Sequence, residues 1–258
     1  MKYKALMLDV DGTIIPYQYT ALPSQEIADA IHLARNKGVT VCLVTGRSYP
    51  STKRILEYLN ITKGYVVVDG GALVYNLEKK RPLYERYIEE KDLEKIISVF
   101  DKENVPFYVK DKFTIANRGD QFKLYSVGQK LDQVSMIFTD ELFSLDKTHK
   151  LLKRLSFPNI TVLRTKHKDP NKYAFNITHL QATKLHGIEV LCKELGIKRS
   201  EIIGVGDGYN DFPLLMASGL KVAMGNAIED LKEIADFVAP SVTDNGVATV
   251  IEKYLLKD

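Results

Sequence analysis

Two stretches near opposite ends of the 258-residue chain place carboxylates where a buried strand should end. In ALMLDVDGTII, Asp9 and Asp11 follow an apolar run, and Gly12 lets the chain turn tightly. In EIIGVGDGYNDFPLL, Asp207, Asn210 and Asp211 interrupt an apolar pattern that then resumes. Thr45-Gly46-Arg47 ends a third apolar run, VTVCLV. Open parallel sheets bind ligands at the carboxyl ends of their strands, so such clusters on one sheet would converge. Carboxylates from two strand ends repel unless something positive lies between them, and hard oxygen donors with retained waters suit Mg²⁺. A metal there leaves one carboxylate oxygen free to attack an electron-poor centre. Phosphorus needs such a neutralised site, because its own oxygens repel an anionic nucleophile. Backbone N–H groups of the Gly12 turn can also surround an anion.

Each stretch has a plainer reading when taken singly. An isolated DxDG is usually a turn. A calcium loop of the EF-hand type needs Gly at its sixth position and Glu at its twelfth. Counting from Asp9 gives Ile14 and Thr20, and counting from Asp207 gives Phe212 and Ser218, so both candidates fail. Thr45 alone could simply end a strand, and Lys184 alone is most often a solvated helix residue. All four elements in order, each in its required context, move the balance toward chemistry.

The elements that must position these groups follow from periodicity. Tyr3 to Leu8, Val39 to Val44 and Tyr65 to Val68 are short apolar strands. Between them, Ser24 to Lys37 carries Ile27, Ile31 and Ala34 on one helical face before Gly38, and Tyr49 to Leu59 reads as a helix. The last third repeats this grammar. Helices are expected over 182–195, from 212, over 228–235 and over 247–256, with strands at 202–205, 221–223 and 237–238. Fully apolar strands alternating with helices imply an α/β fold with a parallel sheet covered on both faces. The middle differs. Helices are expected over 91–102 and 147–155. More polar, partly alternating strands are expected at 107–109, 135–138, 161–164 and 174–177, as in a sheet with one face packed on helices and the other open. The chain therefore divides into a discontinuous first domain, 1–80 and 181–258, and a second domain, 81–180, inserted into it.

Composition sets the remaining bounds. The net charge of +3 is too small, and the basic residues too scattered, to argue for a nucleic-acid partner. No apolar stretch of about 18 residues exists, so no membrane-spanning helix is expected. The N-terminal MKYKALMLDVDGT reads as a first strand and not as a secretory signal. Cys42 and Cys192 are expected to be buried free thiols, consistent with a reducing, cytoplasmic location. The five histidines show no zinc-ligand spacing.

Four motifs together resemble the haloacid dehalogenase superfamily of phosphotransferases, in its Cof-like branch with a type IIB cap. They are LDVDGT (8–13), VTGR (44–47), Lys184 in ATKLHGIEVL, and GDGYND (206–211). The segments VAMGNA (222–227) and TDNGVATVIEKYL (243–255) resemble the same branch. The 34 positions from Asp11 to Thr45 leave no room for a large cap, whereas the 139 from Thr45 to Lys184 hold one of about 100 residues. One departure stands out. The branch often has Gly directly after the third-motif lysine, but here Leu185 follows and Gly187 comes later, with Lys193 as the alternative lysine.

The resemblance implies a Rossmann-like core and an α/β cap, and it assigns roles. Asp9 is the nucleophile that forms an aspartyl-phosphate. Asp11 is the general acid for the leaving alkoxide and then the base for water. Asp9, the backbone carbonyl of Asp11, and Asp207 hold Mg²⁺, with Asp211 supporting them directly or through water. Thr45 and Lys184 grip phosphoryl oxygens, Asn210 binds phosphate or orients Lys184, and Gly46 and Arg47 lie at the substrate. The expected activity is Mg²⁺-dependent hydrolysis of a small phosphorylated metabolite, a sugar phosphate or related ester, in a cytoplasmic enzyme. A phosphomutase and a catalytically silent sensor stand as alternatives. Among cap residues, Lys110, Arg118 and Lys123 are expected to be solvated charges.

Overall fold

A computed structural model of the chain describes residues 2–18, 20–103, 105, 107–111, 117–118, 133–139, 151, 153–165 and 174–256. The strands in chain order are β1 (Ala5–Leu8), β2 (Thr40–Leu43), β3 (Tyr65–Val68), β4 (Leu73–Asn76), β5 (Arg81–Glu85) and β6 (Tyr108–Asp111). They continue with β7 (Asn117–Arg118), β8 (Val134–Thr139), β9 (Ile160–Thr165), β10 (Ala174–His179), β11 (Ile202–Gly206), β12 (Leu220–Ala223) and β13 (Phe237–Val238).

A parallel sheet runs in the order β13-β12-β11-β1-β2. β1 lies between β2 and β11, with Leu8 opposite both Leu43 and Val205. All four residues of β1 are buried, because alternate side chains feed two cores. Leu6 and Leu8 pack with Ile27, Ile31, Val247 and Ile251. Ala5 and Met7 pack with Ile188, Leu191 and Leu214. A sheet covered in this way by helices on both faces needs apolar residues at every strand position, which is why its strands are legible as continuous runs.

The flanking helices start and stop on local chemistry. Ser24 caps Gln25–Asn36 by accepting from the Ile27 N–H at 3.2 Å, and Gly38 follows with φ +86°. Thr183 caps Lys184–Leu195, which ends at Gly196 in the left-handed conformation. The cap residue therefore sets Lys184 as the first residue of its helix. The C-terminal segment is α-helical over Gly246–Ile251 and π-helical over Glu252–Leu256.

The sequence reading omitted a hairpin. β3, β4 and β5 form an antiparallel sheet, and an isolated parallel bridge between Val44 and Val67 sets it beside β2. β5 begins at Arg81, the expected start of the inserted domain, yet it is hydrogen-bonded to β4. We propose that the boundary lies after Glu85. The second five-stranded sheet is antiparallel, in the order β7-β6-β8-β10-β9. Helix Glu90–Lys102 packs Leu93, Ile96 and Phe100 with Phe107, Val109, Ile137, Phe175 and Ile177. The expected helix over 147–155 and the residue Lys123 lie wholly or largely outside the described residues, as does the side chain of Arg118.

Among the described residues, no helix is long and apolar enough to cross a membrane. Both cysteines are free. Cys42 is buried, and burial pushes its thiol up to about 12. Cys192 is half-buried rather than buried, packed at the edge of the core beside Leu191 and Ile188.

Candidate active site

Three strand ends meet at one place. Asp9 directly follows β1, and its N–H donates to Val205 O at 3.0 Å, so the residue is held against the next strand. Asp207 and Asp211 follow β11. The Asp211 carboxylate accepts from the N–H groups of Asp207 at 3.0 Å and Gly208 at 2.9 Å, closing the GDGYND turn on itself. Lys184 reaches in from the first turn of its helix. Its Nζ lies 2.5 Å from Oδ1 of Asp9 and 2.5 Å from Oδ1 of Asp211. Lys193, the alternative lysine, is exposed near the far end of the same helix. Gly187 has its own use one turn on: a Cβ there would lie 2.6 Å from Val67 Cγ1, so glycine lets the helix press against β3.

The electrostatics follow from burial. Asp9, Asp207 and Asp211 are buried, and one oxygen from each lies within 4.8 Å of the others. Burial, then the Asp211 charge, lifts the Asp9 carboxyl well above its ordinary range, and Lys184 opposes this. Burial works against the Lys184 charge, but Asp211 and Asp9 outweigh it and raise its value. Three carboxylates against one ammonium leave an uncompensated negative pocket of hard oxygen donors. That donor set fits Mg²⁺. Tyr17 adds a hydroxyl, which donates to Asp207 Oδ2 at 2.8 Å, while its ring remains partly open to solvent. Burial among the carboxylates pushes the phenol up, so it stays a donor. Asn226 Nδ2 donates to Gly12 O at 2.8 Å and reaches Asp207 Oδ2 at 3.4 Å, tying the two aspartate turns together. Gly12 itself, at φ +81°, has no room for a side chain, since a Cβ would lie 2.5 Å from Asp207 Oδ2.

Asp11 sits in a different setting. Its side chain is 32% exposed and receives both arms of Arg47, Nε to Oδ2 at 2.8 Å and Nη2 to Oδ1 at 2.6 Å. Such a two-point pair fixes orientation as well as distance. Thr45 is buried, and its Oγ1 accepts from the Arg47 N–H at 3.1 Å. The loop after β2 is fastened to the loop after β3: Asp69 N donates to Arg47 O at 2.8 Å, and Gly70 N donates to Thr45 O at 3.0 Å.

A cavity of about 320 Å³ lies over these groups, lined by Asp9, Asp11, Thr45, Gly46, Arg47 and Asn210 from below. Lys110, Met136, Phe138, Thr165 and Asn176 of the antiparallel sheet close it from above. Lys184 and Asn210 line a smaller recess beside it. The sheet face expected to be open is thus the roof of the site. Lys110 corrects an expectation in the same way. It is buried, and its Nζ lies 2.8 Å from Asp69 Oδ1 and donates to Gly46 O at 2.6 Å. Sequence reasoning did not single out Tyr17, Asp69, Asn176 or Asn226. For Asn226 the VAMGNA stretch was a usable signal, a polar residue placed just past a strand end. For the others none was available.

The model of the haloacid dehalogenase-like hydrolase family matches residues 6–251. The chain is 29% identical to the Bacillus subtilis protein YxeH over 269 residues, covering 98% of this chain and 99% of that one. It is 28% identical to phosphoglycolate phosphatase 1 of Saccharolobus solfataricus over 252 residues, covering 98% and 96% respectively. A solved structure described as a sugar phosphatase of haloacid dehalogenase subclass IIB superposes with a TM-score of 0.78 at 21% identity, over 97% of this chain and 98% of that one. With its motifs gathered at three strand ends and its antiparallel sheet inserted over them, the chain belongs to the haloacid dehalogenase-like hydrolases and has the fold of subclass IIB.

Proposed function

We propose that this enzyme is a Mg²⁺-dependent phosphatase that hydrolyses a small phosphorylated metabolite, a sugar phosphate by class, through an aspartyl-phosphate on Asp9. One observation carries the reading: Asp9 and Asp11 leave the same strand end into the same cavity, and Asp9 is backed by a buried lysine and two further carboxylates. The phosphatase name of the Saccharolobus relative supports it. In the first step an Asp9 oxygen attacks phosphorus, the bond to the leaving oxygen breaks, and Asp11 gives its proton to that oxygen. In the second, Asp11 takes a proton from water, the water oxygen attacks phosphorus, and Asp9 leaves as a carboxylate with inorganic phosphate released. Lys184 and Thr45 hold the phosphoryl oxygens, with Asn210 and Gly46 at the cavity wall. Asp9, Asp207 and the Asp11 carbonyl, with Asp211 in support, would hold Mg²⁺, which would supply positive charge between the two anions.

The cavity wall favours a polyol. Ser48, Ser51, Thr165 and Asn176 offer neutral hydrogen-bonding groups, and Phe138 and Met136 offer apolar surface for C–H faces. Among the described residues, the two cations on that wall already face carboxylates, Arg47 with Asp11 and Lys110 with Asp69, so they favour a second substrate anion little. Both Asp11 oxygens are engaged by Arg47, so proton delivery requires the guanidinium to shift toward the substrate.

The test is Asp11→Asn, read in single turnover. A sugar alkoxide needs a proton to leave, and nitrophenolate needs it far less. General-acid help is worth about 100- to 10,000-fold. Release of free sugar should fall by that order, while release of nitrophenolate falls much less. Equal loss for both substrates would move the acid–base role to another residue.

A further inference from the structure

We infer that Lys110 is a positioning residue through which the cap assembles the substrate loop of the core. This rests on the phosphatase reading only for its effect on turnover, since the geometry stands alone. Lys110 belongs to β6 of the antiparallel sheet, yet its Nζ is lodged in the core, 2.8 Å from Asp69 Oδ1 and 2.6 Å from Gly46 O. Its side chain is 10% exposed and that of Asp69 is 0% exposed. A buried pair of this kind forms only when both loops and the cap strand are in place together. The cap also rests on the neighbouring residue: a side chain at Gly70 would meet Met136 Cε at 3.1 Å.

The two core acceptors are not arbitrary. Gly46 lies between Thr45, which faces the phosphoryl site, and Arg47, which grips Asp11. Asp69 holds the same loop from the other side, through its N–H to Arg47 O at 2.8 Å. Asp69 also has φ +53°, a left-handed conformation that non-glycine residues seldom adopt, with Asn and Asp the most tolerant. A carboxylate kept in that conformation, fully buried, is held there by what it binds. Lys110 supplies the charge that makes this stable. One ammonium thus spans the loops after β2 and β3, and it comes from the cap. Without that ammonium the 45–47 loop loses its tie to the second sheet. With it, the loop that carries Thr45 and Arg47 is held at the phosphoryl site. Chemistry is thereby tied to the seating of the second sheet on the core.

The experiment uses the full chain and three variants: Lys110→Met, Asp69→Asn and the double variant. Asn keeps the left-handed preference and the shape while removing the charge. Met keeps the length of the lysine stem. The double variant leaves no unpaired buried charge, so it keeps the question open if Lys110→Met folds poorly. Amide hydrogen exchange is read first, because it needs no substrate. In each variant the amides of 45–48 and 69–71 should exchange at least about tenfold faster, while those of β1 and β11 stay as in the wild type. With p-nitrophenyl phosphate, kcat should fall by an order of 10- to 100-fold, as expected for loss of alignment, with KM moving less than about threefold. The double variant should be no worse than the poorer single one. Unchanged exchange at 45–48, or kcat losses that multiply in the double variant, would overturn the coupling. A wild-type enzyme that hydrolyses no phosphate ester would overturn the phosphatase reading instead, and the exchange result alone would then decide the role of Lys110.

Discussion

Replacing Lys184 by Met isolates the charge balance of the site. Met fills a similar unbranched volume, so what is lost is the ammonium 2.5 Å from both Asp9 and Asp211. Removing one partner of a buried ion pair typically costs about 3–5 kcal/mol. A chain of this size shifts its Tm by about 2–4 °C per kcal/mol, so the metal-free variant should melt about 6–20 °C below the wild type. The deficit should depend on pH. The folded-state value of Asp9 is raised, first by burial and then by Asp211. Its contribution to stability is therefore present below the unfolded value of about 3.9 and is lost as pH rises through the folded value. Without Lys184 nothing offsets that rise, so the gap from wild type should widen between pH 5 and pH 8. Lys184 itself adds no slope there, because its own raised value loses stability only above about pH 10.4. Calorimetry at pH 5, 6.5 and 8 in EDTA, repeated with Mg²⁺, is the assay. Mg²⁺ should recover much of the loss by binding only the folded state. A variant that melts within about 2 °C of the wild type in EDTA at pH 8, less than the shift expected from about 1 kcal/mol, or a gap independent of pH, would refute this account of the carboxylate cluster.

Asp9→Asn keeps the shape of the nucleophile and removes its attacking charge. Turnover of any phosphate ester should fall by at least about a thousandfold, and near-native activity would dismiss the covalent route. Chelation should abolish activity, and Mg²⁺ should restore it. Ca²⁺ should bind but support little turnover, because its larger and looser shell misplaces the nucleophile. Full activity in protein shown by elemental analysis to be metal-free would remove the metal role from Asp207.

What was legible in the sequence depended on how far each signal travelled along the chain. The parallel sheet was legible because burial on both faces makes β1, β2 and β11 continuous apolar runs. The carboxylates were legible because a strand end fixes where they point, and Asp9, Asp207 and Asp211 do meet. The hairpin of β4 and β5 was missed because β5, RPLYE, is mostly exposed and carries a proline, so it lacks a strand's apolar signature. Lys110 was misread because nothing local distinguishes a solvated lysine from one that crosses to another domain. Its partner Asp69 is 41 positions away, and only the closed arrangement of the two sheets brings them together. Arg47 was legible as a site residue through its motif, but its hold on Asp11 depends on side-chain geometry that spacing does not encode.

Asp9 and Asp11 are two residues apart and cannot trade places. Asp9 is 4% exposed, hydrogen-bonded through its backbone into the sheet, and its carboxylate is paired with the buried Lys184. As the proposed nucleophile, Asp9 gains from that setting, since an oxygen stripped of water attacks without first shedding a solvent shell. Asp11 is one-third exposed and answered by the two-point pair with Arg47. In the proposed mechanism Asp11 gives one proton to the leaving oxygen and takes one from water, and that exchange needs access. The separation begins in the backbone: the strand ends at Leu8 and the chain bends at Val10, so Asp9 stays buried while Asp11 is partly exposed. One residue type at two positions thus meets two environments.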